Sequence, residues 1–213
     1  MIALLAKSSH STILNIFAKV VEYIRTKMLQ IYDSIAHGGR LMELTKIFDT
    51  RRSIRSFNGE AISDEARKKI LHAANASPVG LAKYENLHLT DVKSKEMLAE
   101  LEQNAANVTK MENRSFLYGA PELIIVSTAS ADNVGYSNAA IVAQDMALAA
   151  VNEGVGVCHI WGCTIALGAN KELVAKLGIP EGFTPACAVA IGMTDEEYTE
   201  REIPEDRIAL NTI

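Results

Sequence analysis

Three arginines and a serine fall within five residues of the chain, in the run Arg51-Arg52-Ser53-Ile54-Arg55. A guanidinium group donates two parallel, charge-assisted hydrogen bonds from a planar fork, a geometry that suits phosphate and carboxylate groups. The run therefore predicts a binding site for an anion, with a basic turn that faces solvent as the simpler alternative. Its flanks predict a helix on each side, so the run is expected to be a turn between two helices, and a bound anion would lie near helix ends.

The composition makes this anion site a local feature of the surface. The 213 residues include 26 acidic and 21 basic side chains, and the net charge of −5 argues against a nucleic-acid-binding surface. A hydrophobic content of 48% over this length suits one substantial core. No run of 18 uncharged apolar residues occurs, so no membrane-spanning helix is predicted.

The cysteines and histidines predict structural roles. The three cysteines are odd in number, and the closest pair, Cys158 and Cys163, has neither a disulfide-framework nor a zinc-site spacing. Reduced, mostly buried thiols in a cytoplasmic protein are therefore expected. His72, His88 and His159 fall in separate predicted elements, so no metal site is predicted.

Periodicity and capping signals predict the elements that must position these residues. Ser63, followed by Asp64 and Glu65, is typical of a helix start. The apolar run 123–126 predicts a strand buried on both faces. Because helices and strands mix without strict βαβ alternation, the predicted fold class is α+β. The predicted helices span about 43–50, 63–75, 94–110, 138–152 and 171–177, and the predicted strands 87–92, 123–127, 155–161 and 186–191.

The first 41 residues are predicted to be an N-terminal extension of a domain that spans 42–213. Apolar residues recur at spacings of three and four over 12–36, which predicts an amphipathic helix ended by His37-Gly38-Gly39. Such a helix packs on its own domain or on a partner subunit. The alternative is a targeting or membrane-surface segment, because the extension holds five basic and two acidic side chains.

Several motifs, in order along the chain, resemble those of the nitroreductase-like flavoproteins, which bind FMN noncovalently. The resemblance covers about residues 42–203. It implies the fold of that family, a central, mainly antiparallel sheet flanked by helices, and a homodimer with flavin sites at the subunit interface. The motifs are the arginine run through Phe57, Ala76-Ser77-Pro78, the alanine-rich run 144–150, the segment 154–162 that ends in Ile160-Trp161-Gly162, and Ala190-Ile191-Gly192-Met193.

The resemblance also implies cofactor-binding residues. Arg51, Ser53 and Arg55 match positions that contact the phosphate, the ribityl chain and the edge of the reduced ring, and Arg52 matches a position that commonly joins them. Arg201 matches a second basic phosphate contact, with a surface ion pair as the alternative. The remaining matches are Ile160, Trp161 and Gly162, whose backbone would meet flavin N5 and O4, and Ser77, Pro78, Val79 and Gly80, whose loop would cover the flavin.

One segment departs from the family pattern. Many members have an asparagine six residues after the alanine of Ala-Ser-Pro, where this chain continues Ala82-Lys83-Tyr84-Glu85-Asn86. Either Asn86 or Tyr84 is expected to replace that contact and to line the substrate pocket. The departure suggests a distinct substrate range with flavin binding retained.

The function implied by the resemblance is that of an FMN-dependent oxidoreductase. Such enzymes take hydride from NADH or NADPH onto flavin N5 and then reduce a small-molecule electron acceptor, a nitroaromatic, a quinone or an activated alkene, in a ping-pong cycle. The flavin carries the chemistry, so no catalytic side chain is expected. The alternatives are a flavoprotein of the same fold with another reaction, such as dehalogenation or flavin fragmentation, and a flavin-binding module without turnover.

Overall fold

The computed structural model describes residues 19–23, 25 and 44–213. Residues 19–23 and 25 are helical, and the rest of the predicted 12–36 helix lies outside the described residues. Contacts divide the chain into two units, Met1–Leu41 and Met42–Ile213, and the elements below are numbered from the start of the second. Among the described residues, no helix has the length and apolar character needed to span a membrane.

Four strands form one sheet in the order β1-β2-β4-β3, and each neighbouring pair is antiparallel. β2 and β4 are central, and their pairing has one irregularity, between Val126 and Ser127. The predicted α+β class with a mainly antiparallel sheet is thus confirmed. The strands are β1 Leu87–Val92, β2 Glu122–Thr128, β3 Gly156–Ile160 and β4 Thr184–Gly192.

The described part of the second unit has six α-helices, which cover both faces of the sheet: α1 Leu44–Thr50, α2 Asp64–Ala76, α3 Lys95–Thr109, α4 Asn133–Asn152, α5 Gly162–Gly168 and α6 Lys171–Lys176. Side chains alternate between the faces of a strand, and β2 sends Leu123 and Ile125 to one core cluster and Ile124 and Val126 to the other. The first cluster contains residues of α3 and α5, and the second contains residues of α2 and α4. The predicted burial of β2 on both faces is confirmed.

The arginine run is extended, whereas the sequence predicted a turn. It links α1 to α2 and follows β3 along the outer edge of the sheet, where the Ile54 amide donates to the carbonyl of Val157 over 2.9 Å. Ile54 is fully buried, which fixes this segment against the domain. An unpaired sheet edge needs partners for its backbone groups, and the run supplies one for β3.

Phe57 closes this segment by packing against the end of the sheet. Gly156 and Gly192 face each other across β3 and β4. A Cβ at either glycine would lie 3.1–3.2 Å from the Phe57 ring. At Gly192 it would also lie 2.4 Å from Pro121 Cδ. The two glycines therefore leave the space that Phe57 occupies, and this contact sets where the arginine run ends.

Two helices differ from the prediction. α4 starts at Asn133, about five residues early, because the Asp132 carboxylate caps it by accepting from the Gly135 amide over 2.8 Å. α5 was not predicted, and Trp161, the N-cap residue directly before it, makes no side-chain capping bond. Here the Thr164 hydroxyl donates to the carbonyls of Ile160 and Trp161 at the start of the helix.

Candidate functional site

Two cavities adjoin at the end of β3, where they share His159 and Trp161 as lining residues. We call them the Arg51 cavity, of about 360 Å³, and the Arg55 cavity, of about 320 Å³. The Arg51 cavity is lined by Arg51, Ala140, Gln144, His159 and Trp161. The lining of the Arg55 cavity includes Arg55, Arg114, Phe116, Tyr118, Ile160 and Gly162.

The extended arginine run places Arg51 and Arg55 on these cavities, whereas Ser53, between them in sequence, lines neither. Alternate side chains of an extended chain lie on the same side, and all three residues influence the Cys158 thiol of β3. Burial raises the pKa of Cys158, while the charge of Arg55, the Ser53 hydroxyl and the charge of Arg51 oppose that rise. The structure thus brings together three of the predicted phosphate and flavin contacts.

The guanidinium groups of Arg51 and Arg55 have no carboxylate partner among the described residues. The Arg55 guanidinium lies 5.9 Å from the centre of the Tyr118 ring, within range of a cation–π contact. An anionic ligand bound here would accept charge-assisted hydrogen bonds from both guanidinium groups. The position of these two cations on adjoining cavities therefore favours such a ligand.

Arg52 differs from its neighbours because it has a protein partner. One of its terminal nitrogens lies 3.5 Å from the Glu196 carboxylate, which also accepts from the Arg55 amide over 3.3 Å. The Nε of Arg52 is buried and has no hydrogen-bond partner in the part of the chain that the structure describes. Arg52 therefore holds the segment to Glu196 and keeps one donor unused.

Arg201 contacts the C-terminal end of α1, the helix that ends directly before Arg51. Its backbone amide and its Nε donate to the carbonyl of Asp49, and one terminal nitrogen donates to the carbonyl of Phe48 over 2.9 Å. These carbonyls are the ones that a helix end leaves without partners. Arg201 is therefore bound to the helix that precedes the arginine run, and the structure records no ion pair for it within the described region.

The predicted Ile160-Trp161-Gly162 segment forms the wall that the two cavities share. Ile160 ends β3 and is buried, whereas Trp161 is 51% exposed. Gly162 begins α5 next to the ring of Phe116, which lies 3.3 Å from where a Cβ would stand. A larger residue at this position would push into the Arg55 cavity.

His159 was expected to be structural, but it lines both cavities. Burial lowers the pKa of its imidazole, and the charge of Arg51 lowers it further. Because the ordinary histidine pKa is about 6.5, His159 is neutral at pH 7. It can then donate one hydrogen bond and accept another at the cavity wall.

The loop 77–86 lies elsewhere on the same chain. It forms two short 3-10 turns at the edge of α4, where the Gly80 amide donates to the Asn138 side chain over 3.1 Å. Ser77 is buried, with its hydroxyl bonded to the Ala73 carbonyl. Val79 and Tyr84 line a small cavity of about 90 Å³. In the described part of the chain, the Arg51 and Arg55 cavities are lined by none of the predicted loop residues, which are Ser77, Pro78, Val79, Gly80, Tyr84 and Asn86.

The sequence reasoning missed part of the Arg55 cavity. Arg114, Phe116 and Tyr118 come from the segment between α3 and β2, which carries no motif. The one available signal was the order of charged and aromatic residues in Arg114-Ser115-Phe116-Leu117-Tyr118. By contrast, Gln144, from the alanine-rich run 144–150, does line the Arg51 cavity.

Solved structures share this fold. The chain is 26% identical to a nitroreductase with bound FMN from Desulfitobacterium hafniense, with a TM-score of 0.71 over 80% of this chain and 98% of the other. A nitroreductase with bound FMN from Bacteroides fragilis, at 24% identity and a TM-score of 0.70, covers 80% of this chain and 99% of its own. The fold of the second unit is therefore the nitroreductase fold.

The sequence comparisons agree with this class. A protein from Methanothermobacter thermautotrophicus, provisionally named NADH dehydrogenase/NAD(P)H nitroreductase, is 27% identical over 79% of this chain and 87% of its own length. The model of the nitroreductase family matches residues 49–193, which include all four strands and both arginine-bearing cavities. The chain belongs to the nitroreductase family and is an oxidoreductase, as the motifs predicted.

Proposed function

We propose that the chain binds FMN in the Arg51 cavity and along the wall that it shares with the Arg55 cavity, and uses it to pass electrons from NADH or NADPH to a small organic acceptor. The observation that carries the proposal is the set of unpaired guanidinium groups on these cavities. Relatives with bound FMN and a relative named for NAD(P)H support the choice of cofactor and donor.

The residues present fit the phosphate end of FMN. Arg51 would donate charge-assisted hydrogen bonds to the phosphate, and Ser53 would donate a hydroxyl to the ribityl chain. Arg52 would support these contacts by holding the run to Glu196. Arg201 would support the phosphate contact by holding the end of α1 beside Arg51.

The shared wall fits the ring end of the cofactor. Backbone amides at Ile160, Trp161 and Gly162 would meet the polar edge of the isoalloxazine ring, and Arg55 would supply positive charge where the reduced ring becomes negative. When bound, FMN would supply hydride acceptance and donation at N5. The protein binds, orients and shields the ring, and the neutral His159 lies at the wall as a hydrogen-bonding group.

We propose a homodimer in which the loop 77–80 of one subunit covers the site of the other. This arrangement accounts for a loop that lies apart from both arginine-bearing cavities in the described part of one chain. Two-fold symmetry would then build two identical sites. Tyr84 and Asn86 belong to the same loop and would line the substrate side.

The acceptors proposed are nitroaromatics, quinones and activated alkenes, all of which accept a hydride equivalent together with a proton. Three free, buried cysteines fit a reducing compartment, so we place the protein in the cytoplasm. The amphipathic helix predicted over 12–36, with its membrane-surface alternative, remains a prediction.

Flavin retention tests the proposal directly. After incubation with excess FMN and desalting, the wild-type protein is expected to keep flavin absorbance near one equivalent per chain. Arg51→Gln and Arg55→Gln are each expected to weaken FMN binding by about ten- to a hundredfold, the effect of losing one charge-assisted contact. Lys68→Gln, which removes an exposed charge from α2, is the matched control and should retain flavin. A colourless wild-type protein would overturn the proposal.

Catalysis and subunit sharing need separate measurements. Oxidation of NADH or NADPH in the presence of a quinone distinguishes a reductase from a flavin-binding module without turnover.

For the dimer, Arg51→Gln protein is mixed with Gly80→Glu protein under conditions of subunit exchange. If the sites are shared, the mixture regains flavin binding in up to one of the two sites of each heterodimer. If each site belongs to one chain, mixing restores nothing.

A further inference from the structure

The Arg55 cavity carries a second guanidinium group that the proposed flavin contacts do not use. Arg114 lines the cavity, and its guanidinium group forms no ion pair with a carboxylate among the described residues. Its guanidinium lies 5.8 Å from the centre of the Phe116 ring. Among the described residues, its one side-chain hydrogen bond is a weak contact of 3.7 Å to the sulfur of Met111.

The Glu102 carboxylate shapes the loop, whereas Glu112, two positions before Arg114, forms no ion pair with it among the described residues. Glu102 of α3 accepts hydrogen bonds from the backbone amides of Phe116 and Leu117, both over 2.8 Å, and from the Ser115 hydroxyl over 3.1 Å. These bonds occupy three of the roughly four lone-pair sites of the carboxylate. Glu102 therefore fixes the chain directly after Arg114, and no ion pair joins it to Arg114 within the described residues.

The cavity has the size and lining of a site for one aromatic ring. Its volume of about 320 Å³ is at the small end of ligand pockets. Phe116, Tyr118 and Trp161 supply aromatic surface, and Arg55 and Arg114 supply positive charge. A planar acceptor would stack in such a pocket, and an anionic group on that acceptor would meet Arg114.

We propose that Arg114 is a specificity residue that selects aromatic electron acceptors with an anionic substituent, such as a carboxylate. The inference rests on the proposed function, because it assigns the acceptor class of the same site. For a nitroaromatic carboxylate, the first step converts the nitro group to a nitroso group and water. It consumes one NAD(P)H and one proton and yields NAD(P)+, so that two electrons are transferred through the cofactor.

The test compares two acceptors that differ in charge, 4-nitrobenzoate and 4-nitrobenzamide, on FMN-loaded protein. The enzyme is first reduced without oxygen, and its reoxidation by each acceptor is followed by flavin absorbance. Arg114→Gln is expected to slow reoxidation by nitrobenzoate about tenfold and to leave nitrobenzamide within about twofold, the effect of one lost charge-assisted bond at an open site. Arg114→Lys should retain part of the preference.

A matched control and a binding measurement complete the test. Lys110→Gln removes a neighbouring exposed charge that does not line the cavity, and it should change neither rate. Benzoate, which cannot be reduced, should perturb the flavin spectrum of the wild type, with a dissociation constant that rises about tenfold in Arg114→Gln.

Each other outcome overturns the assignment. Equal slowing with both acceptors would make Arg114 a structural residue. Slowing confined to reduction by NADH or NADPH would assign it to the phosphates of the dinucleotide. An unchanged Arg114→Gln protein that binds FMN and oxidises NAD(P)H would overturn the acceptor assignment alone, whereas a wild type that binds no FMN would overturn the proposed function as well.

Discussion

Arginines occupy two contrasting environments in this domain. On the side of α2 and β2, Arg67 binds both oxygens of Glu122, over 2.9 Å and 3.1 Å, and a further nitrogen binds Asp64. At the two cavities, Arg51, Arg55 and Arg114 have no such partner in the described part of the chain. Where the chain provides the counter-charge, an arginine stabilises the fold. Where it does not, the charge remains available to a ligand.

The paired arginine neutralises a carboxylate that the fold buries. Glu122 begins β2 and is only 2% exposed. Burial raises the pKa of Glu122, while the hydrogen bonds and charge of Arg67 oppose that rise. The pKa of Arg67 is in turn raised, mainly by its hydrogen bonds to Glu122. Each group therefore depends on the other to remain charged inside the protein.

The largest effect is expected from breaking this pair. Arg67→Met should lower the free energy of unfolding by about 3–5 kcal/mol, because it leaves a buried carboxylate without its partner. A carboxyl with a raised pKa in the folded state contributes stability at low pH that is lost as pH rises through that pKa. The loss should therefore be greater at pH 8 than at pH 5. Urea denaturation followed by circular dichroism measures both.

A second substitution separates the buried charge from lost packing. In the Arg67→Met background, Glu122→Gln removes the unpaired charge and should recover part of the stability. If the double variant is no more stable than Arg67→Met, the side-chain stem of Arg67, and not its charge, stabilises this site.

A smaller effect is expected when an unpaired arginine is removed. Arg51→Gln should raise the pKa of His159, because Arg51 is the second cause, after burial, of its lowered value. In the wild type the folded state binds fewer protons at His159 than the unfolded chain does below pH 6.5, so stability falls as pH falls in that range. The variant should lose less stability on acidification.

Histidine NMR titration measures this change, and His159→Gln identifies the resonance among the five histidines. A His159 pKa that does not move in Arg51→Gln would show that burial alone sets it. It would also separate Arg51 from the cavity wall that the two residues share.

The smallest effect is expected where the two environments meet, at Arg52. Glu196→Ala removes its partner, and both side chains are more than one-third exposed, so the free energy of unfolding should change by less than about 1 kcal/mol. FMN should bind up to about threefold more tightly, since a negative charge leaves the arginine run. Flavin titration measures the affinity, and the exposed Glu197→Ala is the control. Weaker binding would show that Glu196 chiefly positions the Arg55 backbone.

Local signals in the sequence predicted the fold well. Ser63 and Ser94 cap α2 and α3 as hydroxyl N-caps, and the apolar run in β2 has the double burial that its composition indicates. Asp132, which caps α4 about five residues before the predicted start, was not predicted. The helix α5 gave no such signal, because Trp161 has no capping side chain and Gly162 is a poor helix former.

The site was only partly predictable, because its residues meet through tertiary contacts. The arginine run was identifiable from its residue types, but its extended shape depends on pairing with β3. Arg114 reaches the Arg55 cavity because Glu102, 12 positions earlier, holds the loop that follows it. No spacing rule connects those residues. The homodimer, and with it the position of the loop 77–86 relative to a bound ligand, remains a prediction.

Trp161 is the single tryptophan of the chain, and it lies between the two cavities, about half exposed. Its fluorescence therefore reports from one known point in the molecule. A flavin bound beside it would absorb where the indole emits and would quench that emission by energy transfer, and an aromatic acceptor would alter what remains. The intrinsic fluorescence of Trp161 would therefore allow the binding and release of each ligand to be followed in time without a label.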